Sequence, residues 1–208
     1  MKKLFISAVA LTTIFASCCQ KPENQFLSQK NETMESILNR RSIRAYTAEP
    51  VSDGALDTII NAAVNAPSAR NLQPWQVRVI KNRSLISAIE EGVAAQKKAE
   101  NPNLEPRSFF FGAPVLIVVA YDKSNDKFGK LDCGWLGQNI LLSAQSLGLG
   151  ACVVANGNDF FNSEAARKII EKLQFPDGYE VIYSIALGHP NESPDAKPRD
   201  KSKVLIIE

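Results

Sequence analysis

Val115-Leu116-Ile117-Val118-Val119-Ala120-Tyr121 is an unbroken apolar run of strand length. A run like that reads as a central strand covered on both faces. Gly112-Ala113-Pro114 leads into it. Upstream, Trp75 to Ile80 alternates apolar and polar residues, as a half-buried strand does. Downstream, Ala151–Ala155 and Tyr179–Leu187 are two further strand segments. Helical periodicity fills the intervals. Leu56, Ile59, Ile60, Ala63 and Val64 line one face of a helix over Ser52–Asn65, with Ser52 as N-cap and Pro67 past its end. Leu85, Ile89 and Val93 outline another helix, followed by a charged loop through Pro106. Leu131–Leu147 forms a long helix closed by Gly148, and Asn162–Leu173 a later one. Met34–Arg41 is a short helix with Ile37 and Leu38 on its apolar side. Strands separated by helices make the folded part an α/β or α+β domain.

The N-terminus reads differently. Met1-Lys2-Lys3 is basic, Leu4–Ala16 is almost wholly apolar, and Ala16-Ser17 precede Cys18. This is the order of a secretory signal. The Ala-Ser-Cys ending resembles a bacterial lipobox, with Phe15 where Leu is usual and Cys19 as the alternative modified residue. The expectation is a signal over residues 1–18 lipidated at Cys18, a polar tether over 19–32, and one domain over 33–208. The protein would then be exported and lipid-anchored to a bacterial cell membrane, on its periplasmic side or surface. A disulfide between Cys133 and Cys152 is not expected, because both sit in apolar, core-like contexts.

Composition narrows the chemistry. A net charge of +2 gives no reason to expect nucleic acid as a partner. The single histidine, His189, lies between Gly188 and Pro190 in a loop, with no nucleophile elbow nearby. No His/Cys cluster has zinc spacing, and no G-x-G-x-x-G or Walker loop is present. An enzyme with these side chains needs a bound organic cofactor.

Three segments carry candidate binding chemistry. Arg40-Arg41-Ser42-Ile43-Arg44-Ala45-Tyr46 places three arginines and a hydroxyl within five residues, a set able to wrap a phosphate. Taken alone, it is equally compatible with a solvated charged face. Ala66-Pro67-Ser68-Ala69-Arg70-Asn71-Leu72-Gln73-Pro74-Trp75 is a proline-braced polar loop suited to the edge of a flat heteroaromatic ring. It is also compatible with a simple helix-to-strand turn. Asn156-Gly157 ends a buried strand, where glycine lets backbone N–H groups approach a ligand.

R-R-S-I-R-x-Y, P-S-x-x-N-x-Q-P-W, Gly112-Ala113-Pro114, D-x-G-x-x-x-Q-N over Asp132–Asn139, and Gly188-His189-Pro190 followed by Lys197-Pro198-Arg199 occur in that order. Together they resemble the FMN-dependent nitroreductase family. The resemblance implies an α+β, three-layer α/β/α fold: a central mixed sheet flanked by helices, in an intertwined homodimer with FMN at the interface. It assigns Arg40 and Ser42, helped by Lys197 and Arg199, to the phosphate side, Arg44 to the N1/O2 edge of the ring, and counts Arg41 among the cofactor-binding residues. Pro67, Ser68, Asn71 and Gln73 fall in the cofactor loop, which reaches the FMN of the other subunit. Asn156 and Gly157 fall at flavin N5. It also implies NADH or NADPH as co-substrate, ping-pong hydride transfer, and small aromatic or quinone-like acceptors, with no catalytic acid or base. Trp135 and Leu136 stand where small residues are common, and Asn156 where some relatives carry an acid. Two alternatives stay open: another reaction on the same flavin fold (dehalogenation or dehydrogenation), and a lipid-anchored electron relay fed by a donor other than NAD(P)H.

Overall fold

The computed structural model describes residues 31–208. The signal, the lipidation site and nearly all of the tether expected from the sequence lie outside those residues.

Four strands form one sheet: β1 (Trp75–Ile80), β2 (Val115–Asp122), β3 (Gly150–Val154) and β4 (Tyr179–Gly188). Their order is β1-β2-β4-β3, each neighbouring pair antiparallel. The apolar run that suggested a central strand is β2, and no residue from Val115 to Tyr121 is more than 2% exposed. Successive side chains point to opposite faces, so one strand feeds two cores. Val115, Ile117, Val119 and Tyr121 pack beneath α2 (Asp53–Val64) and α4 (Gly129–Ser146). Leu116, Val118 and Ala120 pack with residues of α3 (Arg83–Glu100), α5 (Asn158–Phe161) and α6 (Arg167–Leu173). The result is a three-layer α+β domain. The sheet is mixed only at its edge, where Ser42 bridges Ala151 in parallel beside β3.

Local chemistry sets the helix ends. The Ser52 hydroxyl accepts the Ala55 N–H at 3.2 Å and caps α2. Gly148, at φ +72°, turns the chain out of α4 at little steric cost. The helix expected over Asn162–Leu173 starts later, as a 3₁₀ turn (Glu164–Ala166) leading into α6, and the short α5 ends just before it. Asn162 causes the break. Its side-chain amide donates to the Val181 carbonyl at 2.9 Å and its oxygen accepts the Val181 N–H at 3.1 Å, so it pairs with β4 like a strand residue.

Cys133 and Cys152 are both buried and both free, as expected. In α1 (Glu32–Asn39), Ile37 and Leu38 are 44% and 65% exposed, and no residue of that helix is buried. Much of its apolar side is therefore left exposed among the described residues. Trp135 on α4 and Val204–Ile207 at the C-terminus are likewise exposed. No helix among the described residues is long and apolar enough to cross a membrane.

Candidate functional site

The arginine segment lies along the edge of the sheet. Ser42 bridges Ala151, and the Ile43 N–H donates to the Ala151 carbonyl at 3.1 Å. On its other side the chain returns after β4: the Thr47 N–H donates to His189 O at 2.9 Å, and the Asn191 N–H donates to Ala45 O at 2.8 Å. The Arg44 N–H donates to the Glu192 carboxylate. The Tyr46 hydroxyl lies 2.6 Å from the Ile43 carbonyl and 3.1 Å from that of Ala186, and burial pushes the phenol well above its ordinary range. With its strand-like alternation, the segment buries Ile43 and exposes Arg44.

Arg44 opens onto a cavity of about 480 Å³, within the usual size range of small-molecule sites. Cys152, Ala155 and Asn156 continue its wall from β3, and Arg107, Phe109 and Phe111 line it from the segment before β2. The Arg44 guanidinium lies 6.0 Å from the Phe111 ring centre, and that of Arg107 lies 5.0 Å from the Phe109 ring centre. Burial raises the Cys152 thiol above its ordinary range, while Arg44, a Ser42 contact and Arg40 pull it back down. The wall is thus cationic and aromatic, and its one sulfur is held as the neutral thiol at neutral pH.

Of the residues singled out in the sequence, Arg44 and Asn156 line the cavity; Arg40 and Ser42 lie beside it, close enough to Cys152 to lower its thiol, and Gly157 follows Asn156 but faces the core. Arg41 is committed elsewhere: its guanidinium donates to the carbonyls of Leu38 at 2.8 Å and Arg40 at 2.9 Å, closing α1. Gly157 has an ordinary φ of −92°, so its role is space. A Cβ there would sit 3.2 Å from Val93 Cγ2.

The proline-braced loop does not line the cavity. Ser68 Oγ accepts the Gln73 N–H at 3.0 Å, and the Gln73 amide donates to Asn71 Oδ1 at 3.2 Å. Arg70, Asn71 and Gln73 all have positive φ, at 55°, 55° and 46°. For a residue with a side chain each such conformation costs roughly 1–2 kcal/mol. Lys197 and Arg199 are exposed and also lie off the cavity wall, with Arg199 turned back onto the carbonyls of Lys197 and Pro198.

Sequence reasoning missed Arg107, Phe109, Phe111, Cys152 and Glu192. A readable signal existed for the first three: an arginine and three consecutive phenylalanines directly precede Gly112-Ala113-Pro114. Glu192 had none, because its meeting with Arg44 depends on the chain's return beside the first segment.

Comparison with known proteins bears on this edge. A family model described as the nitroreductase family matches residues 37–189. The chain belongs to the nitroreductase family. Among relatives of this nitroreductase-family chain, the NADPH-flavin oxidoreductase of Vibrio harveyi is 30% identical over 183 residues, covering 86% of the chain and 74% of the relative. The oxygen-insensitive NADPH nitroreductase of Salmonella typhimurium is 28% identical over 190 residues, covering 85% and 73%. In structure, the chain is similar to a nitroreductase with bound FMN from Desulfitobacterium hafniense, with a TM-score of 0.76 and 34% identity. That match covers 86% of this chain and all of the other. The family match includes the arginine segment, the braced loop and the Asn156-Gly157 turn. It stops before Lys197 and Arg199.

Proposed function

We propose that this chain is an FMN-dependent oxidoreductase that takes electrons from NADH or NADPH and passes them to nitroaromatic or quinone-like acceptors. The observation that carries the proposal is the cavity itself. It joins guanidinium groups at Arg44 and Arg107, phenyl rings at Phe109 and Phe111, and the amide of Asn156 on one wall. A flavin mononucleotide presents the matching features, a flat aromatic ring and an anionic tail, so the residues fit the group. Bound there, FMN supplies the two-electron chemistry that these side chains lack.

The chain's own residues bind and orient. Arg40 and Ser42 offer charge-assisted hydrogen bonds to a phosphate. Arg44, fixed through its backbone to Glu192, keeps a positive charge at the wall where negative charge develops on reduction. Phe109 and Phe111 keep that wall apolar and suit a flat acceptor. The thiol of Cys152 remains protonated and takes no part. Lys197 and Arg199, exposed on the tail and off the cavity wall, are the further cations that the family resemblance assigns to the phosphate side.

Ser68, Asn71 and Gln73 serve the cavity of a second copy. A homodimer accounts for their position off the cavity of their own chain. It also accounts for the exposed apolar groups of α1, Trp135 and Val204–Ile207, a surface of the kind that marks association. The N-terminal residues support export and a lipid anchor at Cys18, which puts the domain outside the compartment where NAD(P)H is expected. That conflict favours a second reading, a flavin electron relay fed by another donor.

Steady-state assays on the full chain decide between the two. With NADH or NADPH, nitroaromatics and quinones are expected to be reduced with turnover. Bleaching by dithionite but by neither nucleotide would establish the relay instead.

A further inference from the structure

The braced loop is unusual in the described chain: three of its residues with side chains are left-handed within four positions. Its tip is nonetheless exposed, from Arg70 through Gln73, including Leu72 at 56%. Strain of this kind persists only where surrounding structure over-determines it, and such residues cluster at ligand clamps. The over-determination comes from α4. Asp132, in its first turn, is 3% exposed, and its Oδ2 accepts the Ala69 N–H at 3.1 Å. Two turns further along, the Asn139 amide donates to the Ala62 carbonyl at 2.9 Å, holding the end of α2 from which the loop departs. Asp132 thus holds the chain one residue before the strained stretch begins.

We infer that Asp132 is a positioning residue for the cofactor: its buried carboxylate holds the Ser68–Gln73 loop in the strained, exposed form that receives FMN. This rests on the proposed FMN reading. The physical case has two halves. A buried carboxylate is expensive without a donor, so the charge and the Ala69 N–H hold each other. Releasing that N–H lets Arg70, Asn71 and Gln73 relax toward ordinary backbone, which moves the side chains of Asn71 and Gln73 away from any preset arrangement. Binding would then have to reorder the loop, a cost that appears as lost affinity and not as lost turnover.

The test uses the full chain with two readouts. In FMN-free protein, hydrogen exchange at the Ala69 amide is expected to speed up at least tenfold in Asp132→Ala, while amides in the body of α4 keep wild-type protection. In FMN titrations followed by flavin fluorescence, the Kd is expected to rise roughly 10- to 100-fold, the span of one lost hydrogen bond to a charged group. The rate at saturating FMN should stay near wild type. Adding Arg70→Gly to Asp132→Ala should recover several-fold of the affinity, because glycine adopts the left-handed conformation freely. Asp132→Asn keeps the side chain's size and is expected to give a several-fold change in both readouts, so the inference stays testable if the alanine variant does not fold. Wild-type exchange and wild-type Kd in either Asp132 variant would overturn it. So would a weakened Kd that Arg70→Gly does not move, accompanied by fast exchange throughout α4. Wild-type protein that takes up no FMN would overturn the functional reading instead, leaving the Ala69 exchange to judge the clamp.

Discussion

Replacing Gly150 with alanine should strike the candidate site without touching a residue that meets a ligand. A Cβ at Gly150 would lie 2.9 Å from Ile43 Cβ, and equally close to its Cγ1 and Cγ2. Ordinary carbon contacts lie near 3.5–4.0 Å, so Ile43 must retreat by about 0.6–1 Å. A rotamer change gives no relief, since one clashing atom is the β-carbon itself. The backbone has to move, and the Ile43 N–H to Ala151 carbonyl bond, now 3.1 Å, stretches past useful length. Overpacking at about 1–3 kcal/mol plus about 1 kcal/mol for the bond gives a cost of roughly 2–4 kcal/mol. For a chain of this size that lowers Tm by roughly 5–15 °C. Ser42 and Arg44 flank Ile43 and move with it. Spoiling one charge-assisted bond then weakens FMN binding by roughly 10- to 100-fold. Thermal unfolding and a fluorescence titration measure the two effects. Ile43→Ala in the same chain removes the Cγ1 and Cγ2 contacts and leaves only the Cβ contact, so the double variant should cost less than the sum of the singles. Wild-type Tm and wild-type FMN affinity in Gly150→Ala would refute the reasoning.

Other outcomes follow from the same geometry. Arg44→Ala should weaken FMN retention or slow flavin reduction, as judged by bound-flavin absorbance and stopped-flow bleaching, and unchanged values would remove Arg44 from the site. Burial pushes the Cys133 thiol up to about 12, whereas an unfolded thiol titrates near about 8.5. Its stabilising effect is therefore complete below the unfolded value and is lost as pH rises through that window, at up to about 1.4 kcal/mol per pH unit. Urea midpoints measured between pH 8 and pH 10.5 should fall for the wild type and fall less for Cys133→Ser, and parallel curves would contradict the shift. Substituting Cys18 and Cys19 together by alanine should release the protein from membranes on fractionation, and continued partitioning would count against a lipid anchor.

Strand and helix positions were legible wherever periodicity was local. Val115–Tyr121 announced β2 because burial on both faces leaves no polar position, and Ser52 announced the start of α2 because a cap is a local device. The helix break at Asn162 was not legible, since it depends on a side chain pairing with a strand nineteen residues away. The site was legible as motifs but not as a place. Arg44 and Asn156 do meet at one cavity. Arg41, in the same motif, instead serves the end of α1, and nothing in an arginine run tells those roles apart. The cavity's other wall, Arg107 with Phe109 and Phe111, was legible as a run of aromatics beside an arginine but not as a place, because its partners arrive through the sheet and not through the sequence.

The most direct test of the account is the visible spectrum of the purified full chain, recorded anaerobically before and after NADPH or NADH is added. The account predicts a yellow protein, or one made yellow by FMN with one flavin per chain, whose flavin absorbance is bleached by the nucleotide. A colourless protein that takes up no added FMN would contradict it.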